Sequence, residues 1–186
     1  MSNYRDEFLG NTHYLISNKG FNGNILFEKN DDYKTFILYV IANLLEHPSI
    51  TISAYCILPK HFHFVIKNKE KGFKISDFMR KIQVSYAMYF KKKNSEKPEL
   101  KGVPVFEGRF KAKTIEEKEL EYIESCVAFD PILHKAVEDI KNWPYTSAHQ
   151  ITDTGYNHMT QTHIKIYNDG RKIYKNTFFN DDHEKS

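Results

Sequence analysis

Hydrophobic and polar positions along the first 150 residues alternate in some segments and recur with a helical period in others. Four extended, largely apolar segments cover residues 12–20, 50–58, 59–66 and 103–113. Three segments with apolar residues every three or four positions begin near residues 31, 76 and 114. Alternation is typical of strands, and the longer period is typical of helices. Their order along the chain predicts an α+β fold in which helices cover one face of an antiparallel sheet.

The three predicted helices have recognisable starts. Asp31 and Asp32 are suitable caps for the first helix, and Ser76 is suitable for the second. The sequence Thr114-Ile115-Glu116-Glu117 has the capping-box pattern and predicts the start of the third. The expected apolar stripe of the first helix is Phe36, Ile37, Val40, Ile41, Leu44 and Leu45, and that of the third is Leu120, Ile123 and Val127.

The segment 59–66, Pro-Lys-His-Phe-His-Phe-Val-Ile, is predicted to be a central strand because its apolar side chains are bulky. Side chains alternate between the two faces of a strand, so His61 and His63 share one face while Phe62 and Phe64 share the other. The two histidine Cα atoms are expected roughly 6.6 Å apart. Two imidazoles at that spacing can bind one divalent cation. The alternative is a strand carrying two histidines that are satisfied by neighbouring groups.

Composition indicates one domain over residues 1–150 and a polar C-terminal extension over residues 151–186. In the extension, residues 164–174 suggest a small hairpin, and the final residues are expected to be disordered. The formal net charge of the chain is only +3, but residues 60–113 hold 15 Lys and Arg against 5 Asp and Glu. This basic block suits a polyanion such as nucleic acid, although a solvated charged surface would have the same composition.

Two features bear on the expected compartment. The N-terminus is polar, and no apolar run approaches the roughly 20 residues of a membrane span. Cys56 and Cys126 lie within apolar segments, as expected for free buried thiols in a reducing compartment. We therefore expect a cytoplasmic protein without a membrane partner.

The third predicted helix carries candidate chemistry along one edge. Tyr122, Cys126 and Asp130 follow one another at intervals of one helical turn. Asp130 is a plausible third metal ligand if this helix packs on the histidine face of the sheet, and otherwise caps the helix end before Pro131. Tyr122 is a candidate nucleophile for a phosphodiester, with an ordinary half-buried tyrosine as the alternative.

Several blocks of the chain, in order over residues 12–150, resemble the single-tyrosine HUH transposases, in particular the REP-associated tyrosine transposase and insertion-sequence-like group. HUH stands for His, hydrophobic, His, which is His61-Phe62-His63 here. The other blocks are Tyr14 to Gly20, Ala54 to His63, Tyr86 to Lys91, Gly102 to Lys111 and Asn142 to Ser147. HUH alone is a weak signal, whereas these blocks in this order are specific.

The resemblance implies a ferredoxin-like fold and metal-dependent nicking and rejoining of single-stranded or hairpin DNA through a phosphotyrosine. It implies Mg²⁺ or Mn²⁺ at His61 and His63 and at Asp130, with Tyr122 as the helix tyrosine. It also places four basic residues near the DNA, namely Lys60, Arg109, Lys111 and Lys113. Whether the protein is a homodimer is left open.

One departure from the family pattern concerns the nucleophile. Aligning Asp130-Pro131 with the Asn-Pro of the family's last helix puts Cys126 where the tyrosine is expected, and Tyr122 lies one turn earlier, about 6 Å along the axis. Tyr122 therefore serves through a shifted helix, or the protein is a catalytically inactive relative that binds DNA. A separate catalytic role for Cys126 and an RNA-binding function are the weaker alternatives.

Overall fold

A four-stranded antiparallel sheet with four α-helices forms the domain in the computed structural model, which describes residues 7–149. The strand order is β2-β3-β1-β4. The elements, in chain order, are β1 (Thr12–Lys19), α1 (Asn30–Glu46), β2 (Ile50–Leu58), β3 (His61–Asn68), α2 (Lys74–Lys93), β4 (Lys111–Ile115), α3 (Leu120–Ala128) and α4 (Asp130–Leu133). The predicted α+β class is confirmed. The extension over residues 151–186, including the predicted hairpin, lies outside the described residues.

Strand β3 is an inner strand that pairs with β1 on one side and β2 on the other. His63 is opposite Ser17 of β1 and Cys56 of β2. The tight link through Pro59 and Lys60 sets the antiparallel pairing of β2 with β3, as the sequence predicted. With both edges hydrogen-bonded, the histidine strand is held in one register.

One face of the sheet packs against α1 and α2 through an aromatic core. Phe62 and Phe64 lie on this face, and both are fully buried together with Phe36 of α1 and Tyr86 of α2. The rings of Phe36 and Phe62 have centroids 5.0 Å apart. Large rings bury much apolar area and lock the two helices onto this face.

The other face of the sheet is covered by α3, so helices lie on both faces rather than on one as expected. Ile123, Cys126 and Val127 of α3 pack on Leu15 and Val65 of the sheet. The physical reason is that Leu15, Cys56, Leu58 and Val65 make this face apolar as well. An apolar second face must be buried, and α3 carries the matching stripe.

The start of the third helix differs from its prediction. Thr114 and Ile115 belong to β4, where they pair with Tyr14 and His13 of β1. A 3-10 turn follows, and α3 begins at Leu120. The capping-box interpretation of Thr114 is therefore wrong, because pairing with the edge of β1 satisfies the backbone there before any helix can begin.

The first helix also buries a narrower stripe than predicted. Phe36 and Val40 are buried, whereas Ile41 is 50% and Leu45 81% exposed. Polar residues take part in the interface instead, since Asp32 and Asn43 are buried. An apolar period alone cannot distinguish residues at the margin of a contact from those at its centre.

Two further predictions concern the cysteines and membrane-spanning helices. Cys56 and Cys126 are buried thiols outside any disulfide, as predicted. Among residues 7–149, no helix combines the length and the apolar character that crossing a membrane requires.

Asp32 is a buried carboxylate that links α1 to α2. It accepts hydrogen bonds from the backbone N–H groups of Glu28 and Lys29, both at 2.9 Å, and from the Tyr89 hydroxyl at 2.8 Å. Lys93 Nζ lies 2.6 Å from Oδ1. Burial raises the pKa of Asp32, but Lys93, these amides and Tyr89 together outweigh burial and hold the pKa below its ordinary value.

We predict that Asp32→Asn lowers the free energy of unfolding by about 2–3 kcal/mol at pH 7, because Lys93 loses its counter-charge. Because the pKa of folded Asp32 is depressed, its contribution is present above the unfolded pKa of about 3.9 and is lost as pH falls through the folded value. Urea unfolding at pH 7 and at lower pH measures this, and the difference between the two proteins should shrink on acidification.

The matched control is Asp31→Asn, which removes an exposed carboxylate from the same first turn of α1. Its loss is expected to stay below about 1 kcal/mol, the size of a helix-dipole effect. Equal losses in the two variants at pH 7 would contradict a special role for Asp32.

Candidate metal and nucleic-acid site

The two histidines of β3 lie on the same face of the sheet, as the strand pattern predicted. Their rings are edge to face, with centroids 5.0 Å apart. His63 is 6% exposed, whereas the His61 side chain is 21% exposed. This is the face that α3 covers, so the chain that follows α3 passes directly over the histidines.

Asp130, the first residue of α4, is brought against both histidines. Its Oδ2 lies 3.4 Å from His61 Nε2 and 3.6 Å from His63 Nε2. Its side chain is completely buried. The structure thus brings together the three residues proposed as metal ligands, which are far apart in sequence.

The end of α3 is tied to the sheet, and this tie sets the position of Asp130. Thr146 forms a bridge with Cys56 on the outer edge of β2 and donates a hydrogen bond of 2.6 Å to the carbonyl of Ala128. Pro131 follows Asp130 at the start of α4, where a missing N–H costs nothing. The backbone therefore directs the Asp130 carboxylate toward the two histidines of β3.

His134, which the sequence interpretation did not include, completes the cluster. Its Nε2 lies 3.4 Å from Asp130 Oδ1, and its ring centroid is 4.7 Å from that of His61. The sequence did contain a signal for His134. It lies four residues after Asp130, a spacing that places both side chains on one side of a helix. Pro131 lies between them and suggested the end of the third helix. A proline is also tolerated in the first turn of a helix, and here Pro131 lies in the first turn of α4.

The buried carboxylate dominates the electrostatics of this cluster. Burial raises the pKa of Asp130, but His134, His61 and His63 outweigh burial and hold that pKa well below its ordinary value. Burial lowers the pKa of His63 to about 3, against an opposing effect of Asp130. The contact with Asp130 raises the pKa of His134. Asp130 is thus an anion and His63 a neutral imidazole at pH 7.

The donor atoms are suitable for a divalent metal ion. Ligand atoms of His61, Asp130 and His134 all lie within 4.8 Å of one another. The contacts of Asp130 exceed ordinary N–H···O distances of about 2.7–3.2 Å. Neither of its oxygens, nor His61 Nε2, has a partner in hydrogen-bond geometry among residues 7–149. Buried polar atoms in a native fold are normally satisfied, so this arrangement fits a cation that the donors would share.

A cavity of about 540 Å³ opens beside the histidines, and four Lys or Arg side chains are among the residues that line it. Its charged lining residues outside the cluster are Lys19, Lys60, Glu107, Arg109 and Lys111. Leu58 and Pro59 contribute apolar surface. A strand of nucleic acid placed here would meet cations for its phosphates and apolar surface for its bases.

The rim of the cavity is held by hydrogen bonds among three segments of the chain, around residues 19–22, 60 and 107. Gly20 N–H donates to the Lys60 carbonyl at 2.8 Å, and Glu107 N–H donates to the Lys19 carbonyl at 2.9 Å. Asn22 N–H donates to Glu107 Oε2 at 2.6 Å. A Cβ at Gly20 would lie 2.0 Å from the Asn24 carbonyl oxygen, so only glycine fits this turn.

The remaining predicted site residues lie elsewhere. Tyr122 is half-buried on α3 and does not line the cavity. Cys126 is completely buried against the sheet. Lys113 is exposed on β4, opposite Leu15, and also lies outside the cavity lining. The three candidate metal ligands and three of the four basic residues therefore converge, whereas the candidate nucleophile does not.

Comparisons with known proteins agree with one another. The sequence model of the family described as "Transposase IS200 like" matches residues 25–128. A candidate REP-associated tyrosine transposase of Haemophilus influenzae is 24% identical over 159 residues, covering 81% of this chain and 87% of that protein. The structure of a REP-associated tyrosine transposase bound to a REP hairpin aligns with a TM-score of 0.64 and 20% identity, covering 83% of this chain and 87% of that one.

We predict that MnCl2 raises the thermal unfolding temperature of the wild-type protein and has much less effect on Asp130→Asn. A ligand that binds only the folded state stabilises it by about 2.7 kcal/mol at 100 times its dissociation constant. Removing the central anion removes most of that affinity. Differential scanning calorimetry with and without MnCl2 measures the shift, and circular dichroism checks that the variant is folded.

Glu138→Gln serves as the control because Glu138 is a nearby exposed carboxylate outside the cluster. It should keep the full shift of the wild type. A shift that survives in Asp130→Asn would place the metal elsewhere.

Proposed function

Because this chain belongs to the IS200-like transposase family, we propose that it is a metal-dependent nickase and strand transferase that acts on single-stranded, hairpin-tipped DNA. The observation that carries the proposal is the buried carboxylate of Asp130 against His61 and His63, at the edge of a basic cavity.

The charge around the cavity supports a DNA partner. Lys60, Arg109 and Lys111 line it and are proposed to contact the phosphate backbone. The structurally similar transposase is described as bound to a hairpin, which motivates a hairpin as the substrate to test. Lys113 lies further along β4 and is proposed to contact the same strand beyond the cavity.

His61, His63 and Asp130 would hold the metal, with Mg²⁺ and Mn²⁺ as the ions that the resemblance to the HUH transposases suggests. A bound divalent ion supplies Lewis-acid polarisation of a phosphoryl oxygen. In the chain itself, β3 fixes the two imidazoles, the low pKa of Asp130 keeps it anionic, and the basic rim orients the DNA. These roles require no movement of the described backbone.

Strand transfer requires a nucleophile, for which Tyr122 is the proposed residue. Its phenol oxygen would form a bond to phosphorus, and the bond from phosphorus to the leaving sugar oxygen would break, with the proton passing to that oxygen. The phosphotyrosine conserves the energy of the phosphodiester, so that a second hydroxyl can reverse the step and join a new strand.

A second candidate function is DNA binding without cleavage. The observation that favours it is the position of the two helix residues: Tyr122 is absent from the cavity lining, and the completely buried Cys126 occupies the turn nearest to Asp130. A completely buried thiol is also out of reach of a phosphodiester, which makes Cys126 unsuitable as a nucleophile. A relative of this kind would act as a DNA-binding regulator.

We predict that the wild-type protein with MnCl2 and single-stranded hairpin DNA forms a covalent adduct, visible as a shifted band on a denaturing gel. Tyr122→Phe should abolish the adduct because it removes the attacking oxygen. Tyr39→Phe on α1, across the sheet from the histidines, should leave the adduct unchanged.

The outcomes of this experiment separate the two functions. An adduct that persists in Tyr122→Phe would refute the assignment of this nucleophile. Hairpin binding with no adduct, with any divalent metal, would establish the binding function instead.

We further predict salt-sensitive hairpin binding that depends on the cavity cations. Lys60→Gln and Lys111→Gln should each weaken binding and lower the slope of log affinity against log salt by about 0.7–0.9, the value for one lost phosphate contact. Fluorescence anisotropy at several salt concentrations measures both quantities, and an RNA hairpin as competitor tests the weaker RNA alternative.

Lys34→Gln is the matched control, since Lys34 is exposed on α1, which packs on the opposite face of the sheet. Equal effects of all three variants would indicate general charge attraction rather than a site at the cavity.

A further inference from the structure

The cluster beside the cavity contains three imidazoles and one carboxylate. We propose that His134 is a fourth ligand alongside His61, His63 and Asp130, and that this donor set takes a transition-metal ion of the Zn²⁺ or Co²⁺ class in preference to Mg²⁺. The inference rests on the proposed function in that it concerns the same metal site, but it changes which ion the site selects.

The ligand atoms of His61, Asp130 and His134 lie within 4.8 Å of one another, and His63 joins this group through its contact with Asp130. His61 Nε2 and His63 Nε2 lie 3.4 and 3.6 Å from Asp130 Oδ2, and His134 Nε2 lies 3.4 Å from Asp130 Oδ1. Zn²⁺ binds imidazole and carboxylate at about 2.0–2.2 Å. Neighbouring ligand atoms of a tetrahedron with such bonds are about 3.3–3.6 Å apart. The observed contacts are therefore of the length that separates ligands around one small ion.

Asp130 contacts all three histidines and so joins the donor atoms into one centre. Its two oxygens face different partners: one faces the two β3 histidines, and the other faces His134. The side chain is completely buried, and burial disfavours its charge. A shared divalent ion would compensate the buried charge more fully than one protonated histidine.

His134 is held in position at the C-terminal end of α4. Its backbone N–H donates to the Asp130 carbonyl at 2.9 Å, and the chain turns away at Lys135, whose φ is +55°. The backbone therefore fixes the two side chains relative to each other. His134 also lines the cavity, with a side chain 31% exposed, so it is the ligand nearest to solvent.

The chemistry of the donors decides the class of ion. Mg²⁺ prefers oxygen ligands in an octahedron and keeps several waters. Imidazole suits Zn²⁺, Co²⁺, Fe²⁺ and Ni²⁺, whose affinities for a nitrogen site exceed that of Mn²⁺. A third imidazole increases this difference, because each nitrogen ligand favours the transition metals over Mg²⁺.

Metal binding to the full chain tests the inference without any measurement of activity. ZnCl2, CoCl2, MnCl2 and MgCl2 are titrated against a chromophoric chelator with the wild-type protein, His134→Gln and Lys135→Gln. His134→Gln should weaken Zn²⁺ and Co²⁺ binding at least about tenfold while changing Mg²⁺ binding little. Lys135→Gln, which alters the exposed neighbour outside the cluster, should bind Zn²⁺ within about threefold of the wild type.

X-ray absorption of the Zn²⁺-loaded proteins provides the second readout. Three imidazoles are expected in the wild type and Lys135→Gln, and two in His134→Gln. Circular dichroism confirms that the variants are folded. An unchanged ligand count and Zn²⁺ affinity in His134→Gln would overturn the role of His134, and Mg²⁺ binding as tight as Zn²⁺ would overturn the selectivity.

Failure of this inference is distinguishable from failure of the proposed function. If His134→Gln matches the wild type in metal binding while the hairpin adduct still forms, only the inference is wrong. If the wild type binds none of the four ions, the metal site itself is refuted, and the inference is refuted with it.

Discussion

The alternation of side chains along β3, an inner strand locked between two others, is the constraint on which the structure depends. One set of residues, Phe62 and Phe64, enters the aromatic core under α1 and α2. The intervening set, His61 and His63, faces α3 and Asp130. A slip of one residue would exchange the two sets, which would bury imidazoles among aromatic rings and expose phenylalanines to the cavity. Core packing therefore holds the proposed metal ligands in place.

The buried carboxylate of Asp130 is the second constraint, because removing a charge from water costs free energy. A charge removed from water is stabilised only by partners with good geometry, and removing one partner of such a group is strongly destabilising. Asp130 sits among three histidines of differing exposure; its charge raises the pKa of His134 and opposes the lowering of the His63 pKa by burial. The cluster is consequently a site at which proton and metal compete for the same lone pairs.

Much of the fold followed from local patterns, whereas the site followed from them only in part. The bounds of β2 and the faces of β3 were predictable because strand periodicity and the Pro59 link are local signals. Helix packing on both faces was not, since it depends on Leu15 and Cys56 of two different strands being apolar on the same side. Thr114 was misread because its capping pattern is weaker than pairing with β1. His134 was missed because Pro131 obscured a helical turn that begins again.

The continuity of α3 with α4 limits how Tyr122 and Asp130 can approach the two histidines together. Phe129 N–H still bonds to Ser125, and Leu133 N–H to Phe129, so hydrogen bonds continue from α3 into α4 although the backbone departs from helical geometry at Phe129. Tyr122 and Asp130 are eight residues apart on this segment, or about 12 Å of helix rise. Any slide that carries the phenol to the histidines withdraws the carboxylate by the same distance. A further bend at Phe129, the residue between α3 and α4, is therefore what would let one chain bring both groups to the histidine pair.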